Sequence, residues 1–115
     1  MYSADLSKCY GCGLYNEHGM QLKSYWDGHK AVARFTPQEH HIALPGFVYG
    51  GLLACLIDCH GVATAAAVAT FKNNPDQNKD ITLARYVTAA LHVYFMQPTP
   101  LGKELVLQAD RKSVV

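Results

Sequence analysis

One aspartate, Asp58, stands inside the most apolar stretch of the chain, GGLLACLIDCHGVATAAAVATF at residues 50–71. A carboxylate among leucines and alanines is costly to desolvate and is kept there for a reason. That makes Asp58 the first candidate for chemistry, as a general base or as a nucleophile. Its structural alternative is an acid paired with a neighbour such as His60 or with a backbone donor, and the functional reading weighs more. The cysteines are the second group. Cys9 and Cys12 form a C-x-x-C, and Cys55 and Cys59 lie four apart in the apolar stretch. A metal or a redox couple is one use for Cys9 and Cys12, and a plain turn is the other. Structural zinc takes four ligands; His18 offers a third, a fourth is not evident, and no second C-x-x-C follows at zinc-finger spacing. The expectation is therefore a plain turn with no metal and no cofactor, with Cys55 and Cys59 behaving as small apolar side chains on one helix face. His60 reads as a satisfied helix residue. His40 and His41 precede the Pro45-Gly46 loop, where one of them can shape a pocket.

These residues need elements to position them. The 115 residues suffice for one domain, 1–115, with half the residues apolar and 17% charged, the balance of a globular chain with one core. The net charge is +1 with Lys and Arg scattered, so the basic stripe of a nucleic-acid partner is absent. The opening MYSADLSKCY has no basic segment followed by an apolar run, which leads to an expectation of reduced thiols and a cytoplasmic location. So short a chain leaves much surface wet, which favours association with its own copies.

Residues 50–71 read as helix from their length, alanines and leucines. Apolar on nearly every face, such a helix belongs inside a protein or a membrane. Asp58 and His60 near its middle argue for a sheet wrapped around it rather than a bilayer. Asn73-Asn74-Pro75 stops it, and 75–80 is a polar turn. Residues 1–28 are irregular apart from a short strand near Met20–Tyr25. Alternation marks strands at His29–Phe35 and 103–109, and β-branched and aromatic residues mark a long one at Thr88–Met96. RKSVV, 111–115, begins another. Strands on either side of one helix give an α+β architecture.

At Phe47-Val48-Tyr49-Gly50-Gly51 through Asp58 the sequence resembles the hotdog-fold thioesterases of the phenylacetate-pathway (PaaI-like) type, with a Pro-Gly loop, a Gly-Gly pair and an acid seven residues after the second Gly. Thr88, Leu91, Val93 and Tyr94 to Pro98, with Leu101-Gly102, look like that family's strand and turn after the helix. Cys9-Tyr10-Gly11-Cys12-Gly13, Asn16, Gly19 and Leu22 are similar to a segment in one branch of it. The resemblance implies an antiparallel sheet wrapped around a long central helix, and hydrolysis of an acyl-CoA or acyl-carrier thioester. It departs in three places: Tyr49 stands where His is usual, Ala43 where some relatives carry an oxyanion-donating Asn, and the family's final strand falls beyond Val115.

Hydrolysis of a thioester needs an activated water or a nucleophile, and donors for the developing oxyanion. Asp58 would supply the first. Gly50 and Gly51 would supply the second, from helix N-terminal N–H groups that lack intrahelical partners and that a carbonyl can approach closely. Seven residues of helix separate Gly51 from Asp58 by ~10 Å, too far for both to act on one carbonyl. Similar proteins join the Gly of one protomer to the Asp of another, so a homodimer or a dimer of dimers is expected. Thr88 matches a position where relatives carry Ser or Thr near the attacking water; an ordinary strand residue is an equal reading. Tyr49, His41 and Val48 are the expected substrate contacts, with Tyr49 either donating its hydroxyl or simply packing. A non-catalytic acyl-thioester binder of the same fold is the alternative. A dehydratase is disfavoured because the family's His is absent.

Overall fold

A computed structural model describes residues 8–73 and 86–110, the last three residues of its helix by backbone alone. Three strands, β1 (Ser24–Trp26), β2 (Ala31–Phe35) and β3 (Leu105–Ala109), form an antiparallel sheet in the order β1-β2-β3, and one helix, α1 (Gly50–Asn73), packs on it. The expected turn at 75–80 and the strand start at 111–115 lie outside the described residues.

The strands follow from alternation. In β2, Ala31 and Ala33 point inward and are buried, while Val32 and Arg34 lie on the wetter side. Register pairs Ala33 with Ser24 on one side and with Leu107 on the other. The small inward side chains let α1 approach closely, so that Leu52 and Leu56 meet Leu22, Ala33 and Val48 in one core. On the outer edge Arg34 donates to Glu104 at 2.9 Å, an exposed pair of little energetic weight.

His60 is the polar pin between helix and sheet. It is 2% exposed; its Nε2–H donates to the Ala31 carbonyl at 3.1 Å, and its Nδ1 accepts from Ser24 Oγ at 2.7 Å. Burial lowers its pKa, which holds the ring neutral and suited to one donated and one accepted bond.

Two expectations are corrected. The helix is not buried all round: Ile57, Gly61 and Ala65, four residues apart, are exposed in the single chain. Residues 86–96 do not form the long strand expected at Thr88–Met96. They pair with no strand among the described residues, and Val87, Tyr94 and Met96 are more than four-fifths exposed. A strand propensity is a preference for a pleated, half-buried surface, and the described residues of one chain provide none here. By length and composition Gly50–Thr70 would also span a bilayer, yet it is the element on which this sheet packs.

His60→Ala removes both hydrogen bonds and leaves a cavity, so it should destabilise the fold by roughly 2–4 kcal/mol. Urea unfolding of the variant beside the parent checks this, and a loss below about 1 kcal/mol would mean that the pin is dispensable.

Candidate active site

The helix N-terminus is built by the loop before it. Ile42 and Val48 form a bridge, Phe47 bridges to Pro100, and Leu101 N–H donates to the Gly46 carbonyl at 2.9 Å. Gly46 has φ +87°, a left-handed conformation that Gly adopts without steric cost. The Tyr49 carbonyl accepts from Leu52 N–H (3.1 Å) and Leu53 N–H (3.3 Å), which makes Tyr49 the N-cap and Gly50 and Gly51 the first two helical residues. Among the described residues nothing accepts from the Gly50 or Gly51 N–H, leaving two donors at the positive end of the helix dipole.

Two exposed aromatic side chains flank these donors. A β-carbon on Gly51 would overlap the Tyr49 ring, and one on Gly50 would lie 3.6 Å from the Phe95 ring. The residue where the family's His is usual therefore lays its ring in the space that a Gly51 side chain would fill. From Gly50 an apolar cleft of ≈ 300 Å³, bounded by Leu53, Phe95 and Met96, runs into a larger one of ≈ 510 Å³. The larger cleft continues between α1 at Leu56, Ile57 and Gly61 and strand β3.

Asp58 is on the same helix, about two turns further along. It is half-buried rather than enclosed, and it lies outside the lining of either cleft. The Thr88 hydroxyl donates to Asp58 Oδ1, across thirty residues of sequence. The sequence left Thr88 open between a site role and an ordinary strand position, and the structure brings it onto the carboxylate. His60, the other partner considered for Asp58, bonds to Ser24 and Ala31 instead.

The remaining expected contacts divide. Val48 is 6% exposed and belongs mainly to the core, although it also walls the smaller cleft. His41 lines neither cleft; its Nδ1 accepts from Gln38 N–H at 2.9 Å and its ring packs on Phe35 and His40. Burial, then the neighbouring His40, lower its pKa. It acts on the site through its carbonyl, which accepts from Tyr49 N–H at 2.9 Å. Phe95 is the residue that sequence reasoning missed. It reads as one aromatic in an apolar run, and only the fold places it against Gly50.

One long helix packed against an antiparallel sheet, with a glycine pair at the helix start and a carboxylate two turns on, defines an α+β hotdog fold. The chain matches no protein-family model and no curated protein. It is 46% identical to a thioesterase superfamily protein from Shewanella loihica PV-4 whose crystal structure superposes with a TM-score of 0.66, over 85% of this chain and 75% of that one. The chain belongs to the thioesterase superfamily, and thioester hydrolysis is the activity this membership supports.

The Thr88–Asp58 bond gives a direct test. Thr88→Val keeps the shape and removes the donor, while Thr88→Ser keeps the hydroxyl. A hydrogen bond to a charged group contributes about 1.5–3 kcal/mol, so hydrolysis by the Val variant should fall about tenfold or more, with Ser restoring most of it. Steady-state turnover of the three proteins reads this, and equal rates would remove Thr88 from the site.

Proposed function

We propose that this chain hydrolyses an acyl-CoA or acyl-carrier thioester to the free acid and thiol, as a symmetric dimer whose sites are each completed by two chains. The observation that carries the reading is the separation within one chain: Gly50, at the free-amide end of the helix, lines the apolar cleft, while the Thr88-held carboxylate stands off it. An acyl group would lie in the cleft beside α1 with its carbonyl oxygen on the Gly50 and Gly51 N–H groups, where negative charge grows as the carbonyl is attacked. Asp58 of a second copy would take the proton from the attacking water or attack the carbonyl itself, with Thr88 fixing its orientation. In the first case the thiolate leaves and takes up the proton that Asp58 removed from water; in the second the thiolate leaves first, and water then cleaves the acyl–aspartate anhydride, giving the free acid, Asp58 and the proton for the thiol. The exposed stripe Ile57, Gly61 and Ala65 and the exposed apolar segment at 86–96 support a second copy as the occupant of that side of the helix.

Tyr49 favours a second reading, in which the protein binds acyl thioesters without turning them over. Its ring fills the space beside the Gly51 α-carbon, next to the proposed oxyanion donors. Release of free thiol from a panel of acyl-CoAs separates the two: turnover supports the enzyme, and binding without release supports the binder.

The shared site has its own test. Asp58→Asn should lower turnover roughly 10²- to 10⁴-fold with stability held. Gly50→Pro removes one amide donor at the first helical position, where Pro is well tolerated. Each variant alone is impaired. Co-refolded in equal amounts, half of the dimers are mixed, and each mixed dimer regains one intact site of two, so activity should return to about a quarter of the parent. A mixture no more active than its parts would sink the two-chain site.

A further inference from the structure

Three of the four cysteines, separate in the sequence, meet in the fold, and the fourth, Cys55, lies beside them outside that group. The Cys9, Cys12 and Cys59 sulfurs all lie within 4.8 Å of one another. Cys55 is one turn before Cys59 on α1, and its sulfur lies 3.4 Å from where a Gly11 β-carbon would be. We propose that Cys9, Cys12, Cys55 and Cys59 form a thiolate site for a zinc-type divalent cation, which fastens the N-terminal loop to helix α1.

The loop is shaped to present its two thiols. Gly13 N–H donates to the Cys9 carbonyl at 2.8 Å, closing the C-x-x-C into a tight turn. Gly11 between the cysteines is buried, and any β-carbon there would overlap Cys59 Sγ, so only Gly lets the turn sit this close to the helix. The turn is held from behind. Asn16 Nδ2 donates to the Lys8 carbonyl (3.1 Å), its Oδ1 accepts from His18 N–H (3.0 Å), and Gln21 Nε2 donates to the Leu14 and Asn16 carbonyls. Met20 and Leu22 N–H groups donate to the Tyr10 and Gly11 carbonyls, tying the loop to the segment that enters the core.

The spacing within the cluster suits a metal. Sulfurs at about 2.3 Å from a tetrahedral zinc stand about 3.8 Å apart. Cys9 Sγ and Cys59 Sγ are 3.7 Å apart, far longer than the ~2.05 Å of a disulfide. Cys9, Cys12 and Cys59 supply three soft ligands from two rigid elements, and Cys55, one turn before Cys59, would turn in as the fourth to give a donor set suited to zinc. On binding, each ligating thiol gives its proton to water and forms one sulfur–metal bond, so no oxidant or reductant is consumed. The expectation of a metal-free turn rested on two ligands near residue 10; the other two come from the helix.

The test uses the whole chain, expressed with zinc and purified under reducing conditions. Elemental analysis should find about one zinc per chain. Cobalt(II) added to the stripped protein should give sulfur-to-cobalt charge-transfer absorption and the strong visible bands of a tetrahedral site. Cys12→Ser and Cys59→Ser should lose the zinc, and Cys55→Ser should shift the cobalt spectrum or weaken retention. Zinc below about a tenth of an equivalent together with no thiolate–cobalt band overturns the site. So does a Cys9–Cys59 disulfide found by mass mapping of the purified protein. An unchanged spectrum and metal content in Cys55→Ser overturns the fourth ligand. The cobalt spectrum of the parent decides the matter even if a variant fails to fold, and no outcome depends on hydrolytic activity.

Discussion

Helix α1 is apolar around most of its circumference, and a three-stranded sheet covers only part of it. An apolar helix surface left in water is unfavourable by about 25 cal/mol for each Å², so the side facing away from the sheet governs what the rest of the molecule does. The covered side is secured by the Leu52–Leu56 core and by His60, whose two hydrogen bonds set the rotation of the helix on the sheet. Once that rotation is fixed, Ile57, Gly61 and Ala65 are turned away from the core, and Asp58 beside Ile57 is carried to its position next to Thr88. The site is thus a consequence of helix orientation.

The same orientation brings Cys55 and Cys59 under the N-terminal turn. Asp58 directly precedes Cys59, so the turn that grips Cys59 restrains the backbone that bears the carboxylate. Two contacts from different parts of the chain, the cysteine cluster and the Thr88 hydroxyl, therefore hold the middle of α1 from two directions. On the proposed reading Asp58 reacts, and a reacting carboxylate needs a fixed position to within a fraction of an ångström, which a half-exposed side chain on a bare helix face would not have.

Much of this was legible in the sequence where the signal is local. Alternation located β2 and β3, and alanines and leucines located the helix. The glycine pair and Asp58 stood out because their residue types are unusual in their surroundings. The strand expected at Thr88–Met96 failed because a ladder depends on a partner edge, which a sequence does not display. The cysteine cluster was hidden for a related reason: its two halves are 43 residues apart between Cys12 and Cys55, and neither half is a site alone. Phe95 escaped in the same way, since its contact with Gly50 is made by the fold and not by spacing. Local chemistry is written in residue types, and long-range pairing is written in surfaces.

Helix geometry finally explains why a glycine pair and an acid can be combined on a single element without interfering. At seven residues apart the two groups are about two turns from each other, nearly in line along the helix axis yet ~10 Å distant. The amides at the start favour negative charge nearby, and an acid in the first turn would occupy them as a cap. No acid stands there, and the amides remain free for an external oxygen. Asp58, beyond the reach of the dipole's end, keeps its own partner in Thr88. On the proposed reading, separation within the chain keeps the two groups from quenching each other, and the second copy of the same helix is the element that would bring them to one carbonyl, a symmetric pair creating both sites at once.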